Sequence, residues 1–170
     1  MKKNTYKCFL FLVVLMTFSS YAQKQIENQV IVSQSIPSLD QDMITLIKYG
    51  DNINAPLTSK EKAQIDEAYG DKADEYIYSN GQNLKLMKQL LRNRIKISQT
   101  DNPNFLKKGK FLSEVPLFDY FNKTIKREAV FNLETFNPLC YRLDFFSKGN
   151  YFYRIDNTNY YIEITSQYRQ

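Results

Sequence analysis

The feature that most limits the possible folds is a set of three aromatic-rich segments near the C-terminus in which apolar and polar residues alternate. They run from Leu139 to Phe146, from Tyr151 to Asp156 and from Asn159 to Thr165, with short turn sequences between them. Alternation with period two places every second side chain on one face of a β-strand. The segments therefore predict a three-stranded antiparallel β-meander over about residues 139–165.

Opposite charges predict how the first two strands pair. A three-residue loop between them places Asp144 opposite Arg154. The same register places Arg142 opposite Asp156, and each cross-strand pair of opposite charge is favourable by roughly 0.2–1 kcal/mol. This charged sheet face is a candidate binding surface, made up of Arg142, Asp144, Arg154, Asp156 and Glu163.

The second turn predicts the apolar face of the same sheet. A two-residue turn at 157–158 places Tyr153 opposite Ile162. It also places Ile155 opposite Tyr160, so apolar side chains stay on one face across all three strands. Two independent turns that agree on one buried face are the consistency expected of a real sheet.

The first half of the sequence predicts helices. Thr58 and Glu61 have the spacing of a capping box, which predicts a helix that begins after Thr58 and ends near Gly70. A second helix is predicted from Asn83 to about Lys96, because its apolar residues form one stripe at helical spacing. That stripe consists of Leu84, Leu86, Met87, Leu90, Leu91 and Ile95.

Shorter patterns predict further elements, and together they define an α+β fold. The helical N-terminal half should pack on the C-terminal antiparallel meander and form a single domain over residues 23–170. The shorter elements are an extended arm or edge strand at 23–38, helices at 39–49, 71–79 and 117–125, and a strand at 130–133.

The first 22 residues have the three-part pattern of a signal peptide. Three lysines precede an uncharged apolar run of 11 residues from Cys8 to Phe18, and small residues lead to a cleavage site after Ala22. As a helix such a run rises only about 16 Å, against a hydrocarbon core of about 30 Å, so we expect cleavage rather than an anchor. The sequence therefore predicts a secreted or periplasmic protein of a bacterial cell envelope, without a transmembrane span after cleavage.

Removal of the signal peptide changes the cysteine count and the charge. Cys8 leaves, so Cys140 stays alone and no disulfide within the chain is possible. The signal also carries three of the 23 basic residues, which leaves 20 against 18 acidic ones and a net charge of +2. Such a small net charge gives no reason to expect specific nucleic-acid binding.

The composition excludes several kinds of chemistry. The sequence has no histidine, which removes the commonest general base and the commonest zinc ligand. Its five glycines form neither a phosphate-binding nor a dinucleotide-binding pattern. We therefore expect no metal and no cofactor.

Two reactive chemistries remain open. Glycoside cleavage needs only two carboxylates, and four candidates lie on a predicted helix surface: Glu67, Asp71, Asp74 and Glu75. A solvated acidic helix surface is the preferred interpretation of these four residues. Cys140 has Arg142 two residues away, which favours a thiolate. Because no histidine can act as its base, a small, partly buried strand residue is the preferred interpretation of Cys140.

Basic residues are concentrated between Lys85 and Lys110, where eight of them accompany one acid, Asp101. Such a surface could bind phospholipid headgroups, lipopolysaccharide or an acidic glycan. A solvated face, partly neutralised by the acidic segment before it, is the preferred interpretation of these residues. The candidate residues of this basic stripe are Lys85, Lys88, Arg92, Lys96, Lys107, Lys108 and Lys110.

These patterns predict an exported, non-catalytic binding or structural protein of the cell envelope. Its partner is not identified by the sequence, and an anionic envelope component or another protein would fit. Two alternatives stay open: a histidine-free carboxylate hydrolase acting on glycans, and a carrier of an apolar ligand between the helices and the sheet.

Overall fold

The computed structural model of the protein describes residues 49–102, 104, 107 and 109–166. The predicted signal peptide, the arm at 23–38 and all but the last residue of the helix predicted at 39–49 lie outside this part of the chain. Within it, helices occupy the N-terminal portion and a four-stranded mixed sheet forms at the C-terminal end. The fold class is therefore α+β, as predicted.

Helix α1 spans Ser59–Tyr69 and begins with the predicted capping box. The Glu61 N–H donates to Thr58 Oγ1 at 3.2 Å, and the Thr58 N–H donates to Glu61 Oε2 at 2.7 Å. The helix ends at Gly70, whose φ of 53° lies in the left-handed region that glycine adopts readily. Both predicted ends of this helix are confirmed.

The next helical segments follow without a long break. A 3₁₀ turn at Gly70–Lys72 and a π-helical turn at Asp74–Tyr78 come first. Helix α2 spans Gly81–Gln89, capped by the Asn80 side chain, and it continues as a π-helical turn at Leu90–Arg94. The helix predicted from 83 to 96 is thus confirmed in its centre, but it begins earlier and ends at Arg94.

The sheet has the strand order β1-β4-β3-β2. Strand β1 spans Ile95–Gln99, β2 Lys110–Phe111, β3 Tyr151–Arg154 and β4 Tyr160–Ile164. Strand β4 is antiparallel to both β1 and β3, whereas β2 is parallel to β3. The sheet is therefore mixed but mostly antiparallel.

The predicted register of the last hairpin is confirmed. Tyr153 lies opposite Ile162 across β3 and β4, and the Ile155 N–H donates to the Tyr160 carbonyl at 3.0 Å. In the turn between them, Asn157 has a φ of 57°, a conformation that asparagine tolerates better than most residues.

The strand predicted at 139–146 is wrong. Pro138–Cys140 forms a 3₁₀ turn, and Tyr141 makes an isolated bridge to Leu117. The Leu143 N–H then donates to the Tyr141 carbonyl at 2.9 Å, within the segment itself. Because these backbone groups are satisfied locally, the segment does not add a strand to the sheet, and β1 and β2 lie beside β4 and β3 instead.

The charge pairs predicted with that strand are therefore wrong as well. Asp144 meets Tyr153 rather than Arg154: its N–H donates to the Tyr153 hydroxyl at 3.0 Å, and that hydroxyl donates to the Asp144 carboxylate. Arg142 belongs to no strand and so does not pair with Asp156 across a sheet.

The short helix predicted at 117–125 and the short strand predicted at 130–133 are also wrong, since both stretches form turns and bends. In both stretches an asparagine side chain accepts a hydrogen bond from a backbone N–H that a helix or strand would otherwise use. The Asn122 Oδ1 accepts from the Thr124 N–H at 3.0 Å, and the Asn132 Oδ1 accepts from the Glu134 N–H at 2.9 Å. Such bonds stabilise turns at the expense of helices and strands.

The apolar face of the sheet is covered by the segment that links β2 to β3. Ile162 and Ile164 are completely buried, and Tyr153 and Ile155 nearly so. They form one cluster with side chains of the linking segment, namely Leu112, Val115, Ile125, Phe136, Cys140, Tyr141 and Leu143. This covering segment positions the site described next.

Candidate functional site

A cleft of about 300 Å³ opens where the covering segment meets the turn between β3 and β4. That volume is at the lower end of the range found for small-ligand sites. The 3₁₀ turn at Leu112–Glu114 forms one side of the cleft, the segment 127–136 forms another, and Tyr141 and the hairpin residues 155–157 complete it.

One wall of the cleft is aromatic. The rings of Phe131 and Phe136 meet edge to face with centroids 5.3 Å apart, and Phe136 contacts Tyr141 at 5.5 Å. Phe131 also contacts Tyr160 of β4 at 5.0 Å. Aromatic contacts at these distances are favourable beyond the area they bury, so this wall is fixed to the sheet.

Asp156 supplies a fixed negative charge to the cleft. Its two carboxylate oxygens accept from Ser113, one from the hydroxyl at 2.5 Å and the other from the N–H at 2.9 Å. Burial alone would raise the pKa of Asp156, but the hydrogen bonds from Ser113, its own backbone N–H and the charge of Arg127 together lower the pKa from its ordinary value. Asp156 is therefore a stable anion, and each oxygen keeps a lone pair that Ser113 does not use.

Arg127 is engaged with the backbone rather than with a carboxylate. Its guanidinium donates to the Leu112 and Val115 carbonyls, each at 2.7 Å, and lies 5.3 Å from the centre of the Tyr141 ring. It thereby fixes the 3₁₀ turn against the segment that begins at residue 127.

Tyr141 is a buried residue with an unused hydroxyl. Only 5% of its surface is exposed, and no residue in the described part of the chain hydrogen-bonds to its hydroxyl. Burial raises the pKa of the phenol, and the charges of Arg127, Glu128 and Asp156 act on the same group. Tyr141 lines the cleft together with Arg127, Glu128 and Asp156.

Glu128 is the second carboxylate of the cleft. It is exposed, and its one hydrogen bond among the described residues is a long contact from the Thr135 hydroxyl at 3.5 Å. The described ion pairs join Lys62 to Asp66, Lys72 to Glu75 and Arg92 to Glu61, so neither Glu128 nor Asp156 takes part in one.

The residues of the predicted charged sheet face are not brought together. Of the five, Asp156 alone lines the cleft, while Asp144 binds Tyr153. The Arg154 guanidinium lies 3.7 Å from the centre of the Phe111 ring, and Glu163 of β4 stands opposite Lys96 of β1. Arg142 is exposed on the covering segment.

Two members of the basic stripe, Lys88 and Arg92, form hydrogen bonds within the protein. Lys88 is buried and donates to the Ala55 carbonyl at 2.8 Å. Arg92 donates to both Glu61 carboxylate oxygens, at 2.5 and 2.8 Å, and to the Pro56 carbonyl at 2.8 Å. These two side chains fasten the segment before α1 to α2 and the π-helical turn that follows it.

The other members of the basic stripe lie on separate elements. Lys85 is exposed on α2, Lys96 on β1, Lys110 on β2 and Lys107 between these strands, while Lys108 falls outside the described residues. Binding of an anionic surface stays a prediction for this set.

Cys140 and the acidic candidates have ordinary structural surroundings. Burial and the neighbouring Glu67 carboxylate raise the pKa of the Cys140 thiol to about 12, so the thiol is neutral. Glu67 also accepts from the Asn137 side chain at 2.9 Å. Asp71, Asp74 and Glu75 are exposed, and Glu75 pairs with Lys72.

The described residues contain neither a metal-ligand cluster nor a membrane-spanning helix. No group of three or more cysteine, aspartate or glutamate side chains there is arranged to hold a metal ion. No helix there combines the length and the apolar character needed to cross a bilayer.

Comparison of the chain with protein-family models, with curated proteins and with solved structures finds no match. The geometry of the cleft is therefore the basis for the function proposed below.

Proposed function

We propose that this chain is an exported, non-catalytic binding protein that takes up a small ligand in the cleft. The observation that carries the proposal is the combination of an aromatic wall with polar groups that can accept further hydrogen bonds. These groups are the Tyr141 hydroxyl and the carboxylates of Glu128 and Asp156. Ligand sites typically combine apolar walls with a few convergent polar groups of this kind.

The charge of Asp156 favours ligand binding over a role as the acid of a two-carboxylate hydrolase. A hydrolase with two carboxylates needs one of them protonated, with a raised pKa, to act as the acid. Hydrogen bonds from Ser113 lower the pKa of Asp156 instead, so it stays ionised. The same charges argue against a carrier for a wholly apolar ligand, because such a ligand would leave them unpaired.

The binding proposal can be tested by screening small molecules against the purified chain by two-dimensional NMR. We expect shifted amide signals to cluster at residues 112–113, 127–136 and 155–157 for the compounds that bind. Replacing Ala129, which lines the cleft, by Trp should abolish these shifts.

Val130→Trp is the matched control, because Val130 is 81% exposed and does not line the cleft. Binding that maps to another surface, or that survives Ala129→Trp unchanged, would contradict the proposal.

Export is the second part of the proposal, and it rests on the signal-peptide pattern of the first 22 residues. Intact mass and N-terminal sequencing of the protein from its own cells should show a chain that starts at Gln23. A stable species that keeps Met1 would contradict export.

A further inference from the structure

The cleft carries more negative than positive charge. Glu128 and Asp156 contribute two carboxylates, and Arg127 is the cation among the lining residues. Arg127 already donates to two backbone carbonyls and forms no ion pair with either acid in the described structure. A ligand that neutralises this imbalance brings a positive charge with it.

The unused groups of the cleft are all able to accept hydrogen bonds. Asp156 keeps lone pairs beyond those that Ser113 uses, Glu128 has only its long contact with Thr135, and the Tyr141 oxygen accepts from nothing in the described structure. The Tyr141 hydroxyl is the independent sign of a ligand: its residue is 95% buried, no described residue bonds to its oxygen, and that oxygen is not enclosed by the protein, so it opens to the cleft that Tyr141 lines.

Three acceptors match the donors of one chemical group. A primary ammonium presents three N–H donors and a full positive charge, whereas an alcohol presents one donor and no charge. Hydrogen bonds between ionised partners are about twice as strong as neutral ones, so a cleft of this composition favours the ammonium.

The aromatic wall and the volume define the rest of the ligand. Phe131 and Phe136 offer ring surface beside the carboxylates, and a cation near aromatic faces gains further attraction. A volume of about 300 Å³ accommodates one ring on a short chain rather than a folded peptide.

We infer that the cleft binds a small primary amine: an ammonium held by Asp156, Glu128 and Tyr141, on a compact apolar body packed against Phe131 and Phe136. This inference rests on the proposed binding function and adds the chemical class of the ligand.

Calorimetric titration with four matched probes tests the class. The first is 2-phenylethylammonium, and its relatives are the trimethylated ammonium, the neutral 2-phenylethanol and the anionic 3-phenylpropionate. We expect the primary ammonium to bind at least about tenfold more tightly than the alcohol, the effect of one charge-assisted hydrogen bond. The anion should bind most weakly, and added salt should weaken binding of the ammonium.

Three conservative variants test the roles of the side chains. Asp156→Asn and Glu128→Gln should each weaken binding of 2-phenylethylammonium about tenfold, and Tyr141→Phe severalfold, because each removes one acceptor or its charge. Glu134→Gln is the matched control, since Glu134 is exposed on the same segment and does not line the cleft.

The outcomes separate this inference from the function on which it rests. If the alcohol or the trimethylated ammonium binds in the cleft as tightly as the primary ammonium, the ligand class is overturned while the cleft remains a binding site. If the NMR screen finds ligands in the cleft and none of them is an amine, the class is again overturned. If no compound binds in the cleft, the proposed function itself fails.

Discussion

At the scale of single residues, two tyrosines on the covering side of the sheet differ in one respect. Tyr153 and Tyr141 are both about 95% buried or more, but the Tyr153 hydroxyl binds Asp144 whereas the Tyr141 hydroxyl has no partner in the described structure. A buried hydroxyl that stabilises the fold should be bonded within it. The difference therefore separates a structural tyrosine from one available to a ligand.

Removing each hydroxyl in turn should show this difference in stability. Tyr153→Phe removes both hydrogen bonds between the Tyr153 hydroxyl and Asp144, one of them to a charged group, and should lower the free energy of unfolding by about 1–3 kcal/mol. Tyr141→Phe should change it by less than about 0.5 kcal/mol, because no bond within the protein is lost. Urea denaturation measures both, and a Tyr141→Phe variant as unstable as Tyr153→Phe would show that its hydroxyl serves the fold.

Cys140 gives a prediction about reactivity. Burial and Glu67 raise the pKa of its thiol to about 12, and a thiol must ionise to react. In the folded protein it should stay unmodified by iodoacetamide at pH 8 on a timescale that fully labels the chain in denaturant. Rapid labelling of the native protein, followed by mass spectrometry, would indicate an accessible thiolate instead.

At the scale of elements, Arg92 joins three parts of the helical region. Arg92 lies in the π-helical turn after α2. Its side chain donates to the Pro56 carbonyl in the segment before α1 and to the Glu61 carboxylate in the capping box of α1. The side chains of the Arg92–Glu61 pair are only 10% and 12% exposed. The guanidinium is planar and has five donors, a geometry that lysine does not reproduce.

Arg92→Lys should therefore be costly although it keeps the charge. We expect a loss of about 2–4 kcal/mol in the free energy of unfolding, since an ammonium cannot bond to both Glu61 oxygens and to the Pro56 carbonyl at once in this largely buried position. Lys85→Arg, an exchange between the same residue types at an exposed position of α2, is the control and should have almost no effect. Equal stability of both variants would contradict the fastening role of Arg92.

The same pair predicts how stability depends on pH. The hydrogen bond from Arg92 is the largest cause that holds the pKa of Glu61 below its ordinary value of 4.5. A lowered pKa contributes stability above the ordinary value, and that contribution is lost as the pH falls through the value in the folded state. Glu61→Gln should therefore flatten the loss of stability below about pH 5, measured by urea denaturation across pH. If Glu61→Gln left the loss of stability below pH 5 unchanged, the Arg92–Glu61 pair would not be its cause.

Local signals in the sequence were sufficient for some of these elements. The capping box of α1 and the β3–β4 hairpin each depend on residues close in sequence, and both were predicted with the correct ends or register. Strand β1 was missed because Ile95 continues the apolar stripe of the preceding helix. Its strand character comes from pairing with Ile164, 69 positions along the chain.

The segment at 139–146 shows why alternation alone was misleading. Tyr141 and Leu143 are buried while Arg142 and Asp144 are exposed, as alternation predicts. An extended segment can bury alternate side chains against a core without pairing as a strand, and here local hydrogen bonds and the Tyr153–Asp144 contact hold it in place.

At the scale of the whole molecule, the α+β class followed from the sequence and the candidate site did not. Ser113, residues 127–128, Tyr141 and Asp156 come together only because the covering segment folds back over the sheet. Of these, Asp156 alone belonged to a predicted site. Without a local motif, neither spacing nor composition connects residues so far apart.

The assembled cleft is proposed to hold a ligand through the Tyr141 hydroxyl and the two carboxylates. A crystal structure of the protein with 2-phenylethylammonium tests this proposal most directly. We expect the nitrogen within about 3 Å of Tyr141 Oη and of an Asp156 carboxylate oxygen, with the ring against Phe131 and Phe136. A ligand bound elsewhere, or one in the cleft whose nitrogen points into solvent away from Tyr141, would contradict it.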